Sequence, residues 1–298
     1  MEQSSKLIGF SAAIFVTCLW AGWTVASRVG ASSPLTVYDL IAIRLATAGA
    51  ISLPLLWYFK TWQTLSLKRG LVLCMAGGPV YVWFAFSGFK LAPAAHGGVF
   101  INGVMPVFAL LLGVLFLRDM PRRVQVVAGL TILIASAVIA TGSGDFRVDY
   151  LKGDLLYLAA GALFSVYMML CKRWQVGSMQ IVYSISFLGA CTYLPIYFSL
   201  LPSNFEQASQ ADIGLQVLYQ GILPSYFGML SVGLGVKHIG TTATSAVMSG
   251  VPALAGILGW WLLSESLSLA QMIAMAVLTI AILVMILPSR RKVAIATQ

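Results

Sequence analysis

A stretch of the first half, residues 87–119 (SGFKLAPAAHGGVFINGVMPVFALLLGVLFLRD), returns in altered form at residues 231–265 (SVGLGVKHIGTTATSAVMSGVPALAGILGWWLLSE). Each copy leads from a Gly-x-Lys through small residues to a proline (Pro106, Pro252), then an apolar run, then an acid thirteen residues beyond the proline (Asp119, Glu265). Gln125 and Ala128 precede Gln271 and Ala274 by the same 146 residues that separate the prolines. An offset held over that length is an internal duplication, so the chain folds as two copies of one unit.

The nature of the unit follows from hydropathy. Hydrophobic residues make up 59% of the chain and charged residues 9%, with a mean hydropathy of +0.91, which excludes an ordinary soluble domain. A helix needs about 20 mostly apolar residues to cross a bilayer. Ten such runs are present, at 7–27, 38–58, 70–89, 95–117, 123–141, 153–171, 179–200, 213–235, 241–263 and 269–287. None alternates as a barrel strand would, so each is expected to be a helix that satisfies its own backbone. The first run follows Lys6 and has the outline of a signal peptide. Its length, Trp20 and Trp23, and its match to 153–171, which pairs Gly9 with Gly153 and Arg28 with Lys172, make it a retained span.

Basic residues favour the cytoplasmic face. With the N-terminus inside, that face receives Lys6; Lys60, Lys68 and Arg69; Arg118, Arg122 and Arg123; Lys172 and Arg173; Lys237; and Arg290, Arg291 and Lys292. The other face receives only Arg28, Lys90, Arg147 and Lys152. The net charge of +9 is thus a topology signal and calls for no nucleic acid. Both termini are expected in the cytoplasm. Five spans per unit is an odd number, so residues 153–298 are expected to run inverted relative to residues 1–141, joined by a polar linker at 142–152. Folds of this kind place a substrate near the midplane, between the halves.

The chain resembles the EamA-type ten-helix exporters of the drug/metabolite transporter superfamily, and within them the YddG-type exporters of aromatic amino acids. The residues that carry the resemblance are Arg44, the block from Lys90 to Asp119, and its echo ending at Glu265. It implies a monomeric secondary transporter of the bacterial inner membrane. Such a protein exports small apolar or aromatic metabolites, aromatic amino acids first, by alternating access. Nucleotide sugars or drug-like compounds are the alternative cargo. Arg44 has Ser184 or Ile185 opposite it in the second half, so its role is not duplicated.

Helix faces suggest where a small-molecule substrate would sit. Spans three and eight both carry a mid-span Pro-x-Tyr, Pro79 with Tyr81 and Pro224 with Tyr226. A proline there frees a carbonyl and bends the helix. Tyr81 is about 18 Å into its span at helical rise, too deep for the interfacial aromatic belt, and lines a cavity or packs between helices. Thr17, Trp20 and Thr24 share one face of span one, and Tyr157, Phe164 and Met168 one face of span six; such stripes are either core or ligand box. Asn102, one turn before Pro106, donates to a substrate carboxylate or to a neighbouring helix. Ser245 and Ser249 sit at similar depth in span nine. Pro106 and Pro252 are candidate hinges, with Gly97, Gly98, Gly103 and Gly250 allowing close approach. Arg44 is the one charge well inside a span, paired with carbonyls or an acid, or contacting a substrate carboxylate or gate. Asp119 and Glu265 read as caps or loop anchors.

The nine acids fall in loops or near span ends, so no mid-membrane proton carrier stands out. No phosphate loop is present, so the chain does not hydrolyse ATP itself. His96 and His238 belong to opposite faces, which argues against a metal cluster. The cysteines lie within spans with no CxxC, and read as apolar packers. No enzyme constellation and no cofactor are expected.

Overall fold

The structure is a computed structural model and describes residues 2–117, 120–142 and 147–286. Asp119, Arg118, residues 143–146 of the linker and the residues after 286 lie outside the described residues. Among those described there is no strand. Nine helices among the described residues are long and apolar enough to cross a bilayer, and Val251–Leu263 is a shorter apolar helix. The chain is therefore an all-helical integral membrane protein.

The spans follow in order: Glu2–Ser32, Val37–Phe59, Leu67–Leu91, Ala94–Phe116, Arg123–Thr141, Val148–Trp174 and Ser178–Leu200. The next helix, Gln210–Met248, bends at Gly240, whose φ of 83° is open to glycine and strained for other residues. That bend separates span eight, residues 210–239, from span nine, which starts at 241 and continues as Val251–Leu263. Span ten is Leu269–Ile286. Span six starts five residues before the sequence pattern placed it, so residues 148–152 of the linker form its first turns.

Local chemistry sets several of these ends. Thr36 opens span two with a capping box: its hydroxyl accepts the Asp39 N–H at 3.1 Å, and Asp39 Oδ2 accepts the Thr36 N–H at 2.8 Å. Asp39 is fully buried, and its other oxygen accepts from the Tyr197 hydroxyl at 2.6 Å, which leaves neither oxygen orphaned. Glu265 accepts the Ala94 N–H at 3.0 Å and thereby caps span four from the far half of the chain.

The prolines open half-helices. Pro79 is the first residue of Pro79–Leu91, after a break at Gly78, where its missing N–H costs no helical bond. Span four is interrupted at Val104, between the π-helix Gly98–Gly103 and the α-helix Met105–Leu117. Span nine is interrupted at Ser249–Gly250, before Val251–Leu263. Val104 and Gly250 are again 146 residues apart, so both copies break two residues before their proline. Pro224 instead lies inside a π-helix, Val217–Gly228, whose wider turn relaxes the ladder around it.

Packing follows the duplication. Span one lies along spans eight and nine, and span six along three and four; span two meets seven, span four meets nine, and span five meets ten. That set is unchanged when each span is exchanged with the one five places away. A Cβ at Gly9 would lie 2.9 Å from His238, and one at Gly153 would lie 2.6 Å from Ala92. Gly9 matches Gly153 in the repeat, and Ala92 lies 146 residues before His238. The exchange is incomplete at three places: spans one and three, two and three, and one and four pack together, with no comparable packing between six and eight, seven and eight, or six and nine. Large apolar side chains such as Leu115, Phe198 and Trp261 are exposed around the outside, where lipid tails surround a membrane protein.

Candidate functional site

Where spans one, four, six, nine and ten converge they enclose a cavity of about 440 Å³. Its walls are helical stripes. Asn102, Met105, Pro106 and Ala109 come from span four, Ser165, Met168, Met169 and Lys172 from span six, and Ser245, Met248, Ser249 and Pro252 from span nine. Each set has spacings of three, four and seven, the signature of one helix face. Trp20 of span one and Ile282 and Ile286 of span ten complete the enclosure. Lys172 is two residues from the end of its span and Ile286 ends its own, so the cavity runs out to that membrane face. Asn102 is eight residues into span four from the other face, about 12 Å at helical rise.

Both helix breaks sit in this wall. The Met, Trp and Pro surface suits an apolar or aromatic body. Among the described residues of the lining Lys172 is the single charge, and there is no carboxylate.

At the opposite face the spans close on each other. The Arg28 Nε lies 3.4 Å from Glu265 Oε1, Arg28 also donates to the Phe89 carbonyl, and Glu265 caps Ala94. These bonds join spans one, three, four and nine. A separate cleft of about 480 Å³, lined by Arg28, Ser33, Asp212 and Glu265 among others, lies beside them.

Of the residues singled out in the sequence, the cavity gathers Trp20, Asn102, Met168, Ser245, Ser249, Pro106 and Pro252. Thr17, Tyr81, Tyr157, Phe164 and Tyr226 do not line it. Thr17 is buried, its hydroxyl donating to the Ala13 carbonyl at 2.7 Å. Tyr157 is fully buried and donates to the Ala92 carbonyl at 3.1 Å, holding the connection between spans three and four. Tyr81 packs at 5.1 Å from Phe164. The Tyr226 hydroxyl donates to the Ala48 carbonyl at 2.6 Å. Ser249 lines the cavity and donates to the Ala246 carbonyl at 2.6 Å.

Two features were not legible beforehand. Asp154 is a buried carboxylate, six residues inside span six, not a group near a span end; its Oδ1 lies 2.8 Å from His96 Nδ1. Gln216 and Gln220 of span eight are fully buried and form a network with Trp23, Ser27 and Arg44.

A polytopic helical bundle with a cavity opening at one face and bonded shut at the other defines the class: a membrane transporter for a small solute. The model of the EamA-like transporter family matches the chain twice, at residues 7–141 and 151–287, and the chain belongs to that family. It is similar to the aromatic amino acid exporter YddG of Ancylobacter novellus, 24% identical over 86% of this chain and 88% of that one. It is 26% identical to a probable terminal-alkyne amino-acid exporter of Streptantibioticus cattleyicolor, over 58% of this chain and 57% of that one. It is 24% identical to the uncharacterized transporter YwfM of Bacillus subtilis, over 94% and 95%. One solved crystal structure superposes with a TM-score of 0.64, at 21% identity, over 95% of this chain and 96% of that chain, a likeness of fold. The family and these relatives are transporters, not enzymes.

Proposed function

We propose that the protein is a secondary exporter of small apolar or aromatic metabolites, aromatic amino acids first, that works by alternating access between two inverted five-span repeats. The observation that carries the reading is the cavity itself: apolar, near the midplane, walled by both proline breaks, with one cation and no anion among the described residues of its lining. A cationic drug would want an acid there and a nucleotide sugar more than one base, so neutral or zwitterionic cargo fits best. The names of the relatives from Ancylobacter and Streptantibioticus agree with amino acids.

Inversion is supported by equivalent residues at opposite ends. Lys172 lies at the open mouth, whereas its repeat partner Arg28 takes part in the closure. The distribution of basic residues puts the open mouth on the cytoplasmic side of the plasma membrane, so this is the state that loads cargo for export. The unequal packing of spans one and three against six and eight fits a molecule opened on one side only. We take the functional unit to be the monomer.

The test is uptake of radiolabelled aromatic, aliphatic, acidic and basic amino acids into proteoliposomes of the purified protein. Aromatic amino acids should accumulate fastest and compete with one another. A protein that carries none of the panel overturns the reading. Reporters fused after residues 65 and 120 should report cytoplasm and those after 148 and 208 the outside; two on the wrong side remove the inversion.

A further inference from the structure

Arg44 is the sequence feature that the cavity leaves unused. It lies seven residues into span two, about 10 Å at helical rise. Among the described residues no carboxylate is within 4.0 Å of it, the ion pairs being Arg28 with Glu265, His96 with Asp154, and Lys152 with Asp149. Its hydrogen bonds are two long ones, from one terminal nitrogen to the carbonyl of Gln220 at 3.4 Å and to its Oε1 at 3.5 Å.

Gln220 is a poor partner because it is already committed. Its Oε1 accepts from Trp23 Nε1 at 2.6 Å, and its amide nitrogen donates to Ser27 Oγ at 3.1 Å and to Gln216 Oε1 at 3.0 Å. Gln216 in turn donates to the Ala26 carbonyl at 2.9 Å. The network is satisfied without Arg44, and it fixes a rigid wall beside the guanidinium. Arg44 is half-buried, and its other guanidinium nitrogens, which have no hydrogen bond, are not fully enclosed. Arg28 shows the contrast of a structural arginine, holding both an acid and a carbonyl. A guanidinium inside a span with no anion is expensive to keep, and functional when kept. Its fork of parallel N–H groups matches a carboxylate.

Arg44 is not itself in the cavity lining, but its neighbours connect it to the wall. Trp23, tied to Arg44 through Gln220, is one helical turn from Trp20 in the cavity wall. Tyr81 is within electrostatic reach of Arg44, and its ring packs on Phe164, next to Ser165 of the same wall. We propose that Arg44 is the carboxylate-binding group of the transport site, receiving the anionic end of a substrate whose apolar body occupies the Met- and Trp-lined cavity. The inference rests on the transport reading above and narrows its cargo: with Ser184 or Ile185 at the matching place in the second half, the site takes one carboxylate, not two.

The experiment measures equilibrium binding to the purified full-length protein of tritiated tryptophan, of indole-3-propionate, which keeps the carboxylate and lacks the amine, and of tryptamine, which keeps the amine and lacks the carboxylate. In Arg44→Gln, tryptophan and indole-3-propionate should bind about tenfold more weakly, as loss of a charge-assisted bond predicts, and tryptamine no more weakly than to wild type. Arg44→Lys should recover part of the loss, since it restores charge without the fork. Gln220→Glu keeps an acceptor for Trp23 and supplies Arg44 with an acid. It should weaken the two carboxylates alone, and it serves where Arg44→Gln does not fold. Carboxylates that bind these variants within about threefold of wild type, or tryptamine weakened equally, overturn the assignment. A wild-type protein that binds none of the three probes instead overturns the transport reading on which it rests.

Discussion

His96 Nδ1 and Asp154 Oδ1 lie 2.8 Å apart with both side chains almost wholly buried, and Asp154 Oδ2 has no partner. The pair joins the first turn of span four to span six. Removing one member leaves the other buried and unpaired, which costs about 3–5 kcal/mol. His96→Leu and Asp154→Leu should each lower the midpoint of thermal unfolding in detergent. The double variant should unfold at a higher temperature than either single. Additive losses would show that the two side chains do not depend on each other.

Glu265 performs two tasks at the closed face, pairing with Arg28 and capping Ala94. Glu265→Gln keeps the shape and removes the charge, and hydrogen bonds to charged groups are worth about 1.5–3 kcal/mol. The closed face should open more often. Leu263→Cys, in the adjoining cleft, should then react with an impermeant thiol reagent about tenfold faster in the Glu265→Gln background. Equal labelling rates would mean that other contacts hold this face shut.

Trp20 and Tyr157 should separate transport from folding. Trp20 lines the cavity, whereas Tyr157 holds the Ala92 carbonyl. Trp20→Ala should cut uptake of aromatic amino acids while the amount of folded protein in the membrane stays near wild type. Tyr157→Phe should do the reverse, losing about 1 kcal/mol of stability with little change in which solutes are carried. Uptake and fluorescence-detected gel filtration, read on the same preparations, check both.

The breaks at Val104 and Ser249–Gly250 place a joint before each proline. A Cβ at Gly98 would lie 2.8 Å from that of Ala255, and one at Gly103 would lie 3.6 Å from the Pro252 ring, so spans four and nine cross at the joints. Pro106→Ala and Pro252→Ala restore an N–H and should slow turnover while substrate binding is retained. They should bias thiol accessibility toward opposite faces. Normal turnover with identical labelling from both sides would reduce the prolines to fixed kinks.

The ten apolar runs were legible because a bilayer demands length and hydropathy together, and the breaks because each proline has a twin. Glu265 was readable as a cap from its place at a span end. The depth of Asp154 was not, because Asp149 and Lys152 in the turn before it made residues 148–152 look like linker. Gln216 and Gln220 are uncharged and one turn apart, and nothing in the sequence marks them as a buried network. Met168 and Ser245 stand out in the sequence, whereas Met169 and Met248 on the same stripes do not, since apolar neighbours do not mark a cavity wall until its other side is known; Lys172 reads there as a loop base. Tyr81 and Tyr226 stand out for their depth, yet the Tyr81 ring packs on Phe164 and the Tyr226 hydroxyl donates to the Ala48 carbonyl.

The major packing runs between the two halves: span one against eight and nine, six against three and four, two against seven, five against ten. Neither half covers its own interior, so the peptide bonds at residues 142–147 contribute mainly local concentration. Two separately encoded fragments, one ending near 142 and one beginning near 147, could in that case find each other in the bilayer and rebuild the whole. A gene for one half, made to pair with a second copy in the opposite orientation, would already contain most of the architecture.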